Sequence, residues 1–332
     1  MGAAPTTSTR RAVNGIELDV LEAGDPDAPA IVLLHGFPEC AYSWRHQLAP
    51  LADAGYHVLA PDQRGYGGST APAEVEAYRT DHLAADVVGL LDATGHDDAV
   101  VVGHDWGALL LWDLARLHPT RLRAAIAASV PYTPWPMPPT DVFKAASGDD
   151  FFYILYFQDV GPAERELEAD VRESMRSFLW SASGEGFPDE PPSPIPAAGN
   201  GVLDAMRSAG PVPTELPAWL TPEDLDVYVA QFERSGFFGP VSWYRNLDAD
   251  HLLVKDLPFP NIPTSFIAGT RDLVIAGRPG YVESMDATLP DHRRSVLIEG
   301  AGHWTQQERP DEFNAALLSM LRDLDPDVAT SH

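Results

Sequence analysis

The sequence has a single cysteine, Cys40, in 332 residues. No disulfide can therefore form within the chain. No run is long and apolar enough to span a bilayer, and residues 1–11 lack the hydrophobic stretch of a secretory signal. Asn-x-Ser/Thr acceptor sites are missing too. A cytoplasmic protein with no membrane partner is expected. Basic residues are scarce: 22 Lys and Arg stand against 49 Asp and Glu, a formal net charge of -27. Such a chain is repelled by phosphate backbones, which excludes nucleic acid as a partner. The acidic residues are spread along the chain and not gathered in a tail, so they mark a solvated surface. A P-loop, a His-Glu-x-x-His pair and a Cys-x-x-Cys pair are also lacking. No metal, nucleotide or other cofactor is expected. Apolar residues are plentiful, at 45% of the chain. That is enough for one large domain or two smaller ones.

The most informative stretch is Val100 to Gly107, Val-Val-Val-Gly-His-Asp-Trp-Gly. The β-branched run Val100 to Val102 reads as a buried strand, and Ala108 to Leu117 reads as a helix stopped by His118-Pro119. Between them, small-x-Asp-x-small has the form of a nucleophile elbow, in which one side chain sits on a tight turn above a sheet. The usual serine is replaced by Asp105. A serine hydroxyl needs a base before it can attack, whereas a carboxylate is already ionised at neutral pH. Attack on an electrophilic sp³ carbon would give an alkyl ester, and a base would then be needed for water to hydrolyse it. Taken alone, the motif also fits a strand-end Asp that caps the next helix.

Along the chain, residues 13–22 alternate around Asn14-Gly15 and read as an edge hairpin. Ala30 to Leu34 is a short strand ending in His35-Gly36-Phe37-Pro38, a turn that would aim the Phe37 N–H at a site beside Asp105. Ser43 to Ala54 reads as a helix and Tyr56 to Ala60 as a strand. The Gly-rich run from Pro61 to Ser69 has the wrong glycine spacing for a dinucleotide site. It reads as a structural loop held by an Asp62–Arg64 hydrogen-bond network. His82 to Thr94 is an amphipathic helix, and Leu122 to Ser129 is another strand. Strands alternating with helices imply an α/β protein: a mostly parallel, twisted sheet wrapped by helices on both faces.

At Pro131 the pattern breaks into Pro-Tyr-Thr-Pro-Trp-Pro-Met-Pro-Pro. Residues 141–246 look helical, with a second Pro-rich stretch from Pro188 to Pro196, and Thr221-Pro222-Glu223-Asp224 reads as a helix cap. An inserted helical cap over 131–247 is expected, between core segments 1–130 and 248–332. The sheet resumes at Thr264 to Ala268, ending in Gly269-Thr270-Arg271-Asp272, and at Arg294 to Ile298, ending in Gly300-Ala301-Gly302-His303. A last helix runs to Leu324, and the tail from Asp325 is expected to fray.

Asp105, Asp272 and His303 thus stand at the C-terminal ends of separate strands, where open parallel sheets bind ligands. Their order, nucleophile, acid, histidine, is that of the α/β-hydrolase triad. From Val13 to Leu324 the chain resembles the soluble epoxide hydrolases of the α/β-hydrolase superfamily. The matching motifs are His35-Gly36-Phe37-Pro38-Glu39, Gly103-His104-Asp105-Trp106-Gly107, Tyr153 to Gly161, Gly239 to Asn246, and Gly302-His303-Trp304-Thr305-Gln306. The resemblance implies the α/β-hydrolase fold and hydrolysis of a small-molecule epoxide by water to a vicinal diol. It implies Asp105 as nucleophile, His303 as base and Asp272 as its orienting acid. It further implies the backbone N–H groups of Phe37 and Trp106 as oxyanion hole, Tyr153 and Tyr244 as cap phenols, and Phe37, Pro38, Trp106 and Trp243 along the substrate. Read without the resemblance, Tyr153 is an aromatic core residue among Phe151, Phe152, Tyr156 and Phe157.

The phenols separate two relatives that share an Asp elbow. Haloalkane dehalogenases expel halide, which needs no proton. An opening epoxide leaves an alkoxide, whose conjugate acid is as weak as water, with a pKa of about 15.7. A phenol, with a pKa of about 10, can protonate it. A dehalogenase-like hydrolase stays as the alternative, along with a non-catalytic protein on the same fold, although such proteins often lose a triad member. Cys40 reads as a buried small thiol, His104 as packing beneath the elbow, and Glu39 as support of the oxyanion loop. Trp135, Met137, Phe157 and Trp180 read equally as pocket wall or cap core. A homodimer stays open.

Overall fold

The computed structural model describes residues 6–188, 193–276, 278 and 280–324. Residues 189–192 of the second Pro-rich stretch and the tail from Asp325 lie outside the described residues. The sheet has eight strands: β1 (Thr7–Val13), β2 (Ile16–Ala23), β3 (Ala30–Leu34), β4 (His57–Pro61), β5 (Ala99–His104), β6 (Leu122–Ala128), β7 (Thr264–Gly269) and β8 (His292–Ile298). Their spatial order is β1-β2-β4-β3-β5-β6-β7-β8. The β1–β2 and β2–β4 pairs are antiparallel and all others parallel. The hairpin turn is Asn14-Gly15, both at positive φ, as its two-residue loop requires.

The central strands are apolar on both sides because both sides are covered. Alternate residues divide between two cores. Ile31, Leu33, Val100, Val102 and Ile126 pack with Leu48 and Leu51 of α1 (Arg45–Asp53) and with Phe313 and Leu317 of the C-terminal helix (Pro310–Leu324). Val32, Leu34, Val101 and Ala125 pack with Leu83 and Leu90 of α2 (Thr80–Thr94) and Leu110 and Leu111 of α3 (Trp106–Leu117). The second core runs on without a break into the helices that follow β6, so those helices share their packing with the sheet.

Between β6 and β7 lie α4 (Pro139–Ser147), α5 (Tyr153–Tyr156), α6 (Pro162–Ala169), α7 (Val171–Ser181), α8 (Val202–Ala209), α9 (Pro222–Ser235), α10 (Phe238–Arg245) and α11 (Leu247–Val254). After β7 come α12 (Met285–Thr288), α13 (Thr305–Glu308) and, as α14, the C-terminal helix. The cap sequence before α9 forms in full. Thr221 Oγ1 accepts from the Asp224 N–H at 3.1 Å, and Asp224 accepts from the Thr221 N–H at 2.9 Å. Asp224 also reaches Arg45 at 3.2 Å and accepts from the Tyr42 hydroxyl at 2.8 Å, so the same residue caps a helix and ties it to the core.

The Asp62–Arg64 network expected from the sequence does not hold the Gly-rich loop. Asp62 and Arg64 do not bond to each other. The Arg64 guanidinium forms a bidentate pair with Asp86 of α2, at 2.7 and 2.6 Å. Asp62 instead accepts the N–H groups of Ala41 and Gly68, at 2.8 and 2.9 Å. A planar guanidinium is best satisfied by a carboxylate facing it squarely. Asp86 does so for Arg64, while both Asp62 carboxylate oxygens are taken up by backbone N–H groups.

Candidate active site

Asp105 follows the last residue of β5 and precedes the first of α3, with φ 52 and ψ -116. A non-glycine residue at positive φ is strained by about 1–3 kcal/mol, and such strain survives only where the surroundings enforce it. They do so here by close approach of backbone. A Cβ on Gly103 would lie 2.2 Å from the Gly107 carbonyl oxygen, and one on Gly107 would lie 2.1 Å from that of Leu34. Both glycines are thus fixed by contact, and the elbow is pressed against the end of β3.

The carboxylate is met from two sides. The Phe37 N–H donates to Asp105 Oδ1 at 2.8 Å, and His303 Nε2 lies 3.4 Å from Oδ2. Burial alone would raise the Asp105 pKa. The hydrogen bond and charge of His303, with help from the Phe37 N–H, outweigh it and hold the group below the usual carboxylate range. Trp106 is the first residue of α3, a position whose N–H has no partner within the helix.

Beyond the histidine, Asp272 Oδ1 sits 3.0 Å from His303 Nδ1 and also accepts the Val274 N–H at 2.9 Å. Burial would lower the imidazole pKa. The Asp272 charge and the two carboxylate hydrogen bonds overcome this and hold it well above its ordinary value. Asp105, His303 and Asp272, on three separate strand ends, thus form one connected line.

The loop carrying His303 is pinned by residues that sequence reasoning passed over. Glu308 accepts the N–H groups of Gly184, Gly302 and Trp304, at 2.8, 3.0 and 3.1 Å. The His303 N–H donates to Ala182 O at 2.8 Å, and the Trp304 indole donates to Leu179 O at 2.9 Å. The loop carrying His303 is therefore stitched to the end of α7. Beneath the elbow, His104 lies 2.7 Å from both Glu39 Oε2 and the His303 carbonyl. Glu39 in turn accepts the Gly36 N–H at 3.0 Å, and the side chains of Gln306 and Gln307 at 3.0 and 2.9 Å. Gly302-His303-Trp304 followed four residues later by a Glu was the available signal for Glu308, but only the fold reveals what it caps.

Near the Asp105 carboxylate, whose charge reaches both rings, Tyr153 on α5 and Tyr244 on α10 meet edge-on, ring centroids 5.8 Å apart. Tyr244 packs edge-on against Trp106 at 4.7 Å, Phe157 at 5.0 Å and Phe37 at 5.4 Å. Burial raises both phenol pKa values above the ordinary value, and the nearby Asp105 charge adds to this, so both remain protonated at neutral pH. Pro38 is buried behind Phe37 in the same turn. Trp243 is 1% exposed and donates its indole N–H to Arg64 O at 3.2 Å. With Trp106 it lines a cavity of about 160 Å³ that also touches Leu109, Val130 and Tyr281 but not Asp105, Tyr153 or His303. Phe157 is fully buried, whereas Met137 is 47% exposed. Among the described residues no group of three or more His, Cys, Asp or Glu is arranged to hold a metal.

Residues 29–167 match the family model of the alpha/beta hydrolase fold. Over 315 residues the chain is 47% identical to epoxide hydrolase A of Mycobacterium tuberculosis, covering 94% of this chain and 96% of that one. The chain belongs to the epoxide hydrolase family. Epoxide hydrolase B of the same organism is 38% identical, over 91% of this chain and 94% of its own. The crystal structure of epoxide hydrolase A from Mycobacterium thermoresistibile superimposes with a TM-score of 0.87 at 44% identity, covering 96% of this chain and 98% of that one. An epoxide hydrolase from an endophytic Streptomyces gives a TM-score of 0.88 at 38% identity, over 98% and 97% of the two chains. The α/β-hydrolase fold implied by the resemblance is the fold that these family members share.

Proposed function

We propose that this protein hydrolyses epoxides to vicinal diols through a covalent ester on Asp105. The observation that carries the reading is the line Asp272–His303–Asp105, at 3.0 and 3.4 Å, with a backbone N–H already on the Asp105 carboxylate. Asp105 attacks one epoxide carbon through an oxygen whose ionised form the site favours. The C–O bond of the ring breaks, and Tyr153 and Tyr244 hold the departing oxygen and protonate it. The hydroxyalkyl ester that results carries no charge on Asp105.

That loss of charge prepares the second step. In the free enzyme two carboxylates keep the imidazole protonated. Esterification removes one of them, so the imidazole pKa falls; its proton is released to restore the phenolate left by ring opening, and the neutral His303 then accepts a proton from water. Asp272 keeps the ring aligned. Water adds to the ester carbonyl, and the negative charge develops on the oxygen facing the Phe37 N–H, with the Trp106 N–H as second donor. One such donor is worth on the order of 10²–10³ in rate. The diol leaves, and Asp105 recovers its carboxylate without any cofactor. Phe37, Pro38, Trp106 and Trp243 are proposed to bound the substrate.

The division into a core of 1–130 and 248–332 and a cap of 131–247 is part of this proposal. It is supported by the run of helices α4 to α10 between β6 and β7, with the phenols on two of them. Cytoplasmic location and a homodimer are carried with it, to be tested by fractionation and sedimentation. No helix among the described residues is long and apolar enough to cross a membrane. Function is tested on a panel of styrene-type and fatty-acid-type epoxides beside haloalkanes. Diol formation is expected; halide release without diol formation would select the dehalogenase chemistry instead.

A further inference from the structure

The helix that carries Tyr153 is one turn long: α5 spans Tyr153–Tyr156. A single turn cannot hold itself, because helix nucleation is unfavourable and its last carbonyls have no partner within the helix. Yet two phenols that share one oxygen must keep a fixed spacing, and they sit on separate helices. Two side chains bridge those helices, one from each.

Gln158, just past α5, donates its amide to Ile154 O at 2.8 Å and across to Tyr244 O at 3.0 Å. Arg245, the residue after Tyr244, reaches the opposite way. Its guanidinium donates to Phe157 O at 3.0 Å and to Asp159 O at 3.0 Å. It is braced on its own helix by Ser242 Oγ at 3.1 Å, and from α6 by Glu164, whose Oε1 lies 2.7 Å away. Glu164 Oε2 meanwhile accepts the Gly161 N–H at 2.8 Å. The Arg245 side chain is only 3% exposed. The segment just past α5 therefore supplies a donor to a carbonyl of α10, Arg245 of α10 supplies donors to two carbonyls of that segment, and the Ile154 carbonyl of α5 is met by the Gln158 amide.

We infer that Gln158 and Arg245 are positioning residues that set the spacing of Tyr153 and Tyr244 and so act on epoxide opening and not on ester hydrolysis. The inference rests on the reading of the two tyrosines as proton donors. Neither residue touches the triad by any contact described above. Displacing reacting groups by about 1 Å costs up to 10²-fold in rate, so a lost bridge should register clearly. Arginine is suited to its half of the bridge because its planar fork sets donors in fixed directions toward separated oxygens, whereas a lysine ammonium is one compact point.

The test uses Gln158→Met, which keeps the length and loses both donors, together with Arg245→Met and Arg245→Lys. Stopped-flow tryptophan fluorescence with a styrene-type epoxide reads ester formation and ester decay separately. Ester formation is expected to slow on the order of tenfold in each Met variant, with ester decay within about twofold of wild type and partial recovery in Arg245→Lys. Removing Arg245 leaves Glu164 without its cation, so if Arg245→Met fails to fold, Gln158→Met alone decides. Unchanged ester formation, or equal slowing of both steps, overturns the inference. The double variant Tyr153→Phe with Tyr244→Phe separates two kinds of failure. If it opens epoxides at the wild-type rate, the reading of the phenols falls. If it is slow while the Met variants are not, only the bridge falls.

Discussion

At the scale of single residues, the site works by setting protonation states against one another. Asp105 is held ionised and both phenols are held protonated. Epoxide opening should therefore vary little between about pH 6 and 9, since the two groups titrate outside that range in opposite directions. In the proposed mechanism ester hydrolysis needs neutral His303, whose fraction grows with pH. The decay rate of the ester should rise with pH to a plateau, and stopped-flow measurement across this range checks both limbs. Asp250 supplies a separate prediction. It accepts the Thr80 N–H at 2.9 Å, and burial, with the charge of Asp113 adding, pushes its pKa to about 8. A carboxyl raised in the folded state from an unfolded value of about 3.9 loses stability as pH climbs between the two values. Asp250→Asn should therefore resist urea better than wild type at pH 8.5 and about equally at pH 4. A lower midpoint for the variant at pH 8.5 would contradict the assignment.

At the scale of elements, turns and caps are the parts most exposed to substitution. Gly107→Ala would set a methyl group 2.1 Å from the Leu34 carbonyl. Backbone on both sides would have to move, at a cost of about 3 kcal/mol or more and with loss of diol formation. Thr221→Ala removes the α9 cap and should cost about 1 kcal/mol in urea unfolding. These elements were legible in the sequence because their signals are local. Small-x-Asp-x-small between a Val run and a helical stretch, Asn-Gly in a hairpin, and Thr-Pro-Glu-Asp each lie within a few residues. The partners of Arg64, Glu308, Gln158 and Arg245 were not legible. Arg64 meets Asp86, 22 positions on, and Gln158 meets Tyr244, 86 positions on. Such pairs are set by how helices settle on the sheet, and no short-range pattern carries that information. The Arg64 error shows the hazard of pairing charges by proximity in sequence.

At the scale of the whole molecule, the net charge of -27 works against compactness. Like charges repel over about 30 Å at 0.01 M salt but only about 8 Å at 0.15 M. The melting temperature should rise between these two sodium chloride concentrations; a fall would show that attractive ion pairs dominate the surface. The helices between β6 and β7 share one apolar interior with the sheet and are tied to it through Asp224 to Arg45 and through Glu308 to Gly184. The two phenols are thereby held near Asp105, which stands at the end of β5.

The central claim is that Asp105 becomes covalently joined to its substrate and that His303 releases it. His303→Gln mixed with a styrene-type epoxide tests this by intact-protein mass spectrometry followed by peptide mapping. The protein should gain the mass of one epoxide, carried on the peptide containing Asp105, and should form little diol. An unchanged mass, or an adduct on a peptide without Asp105, would contradict it.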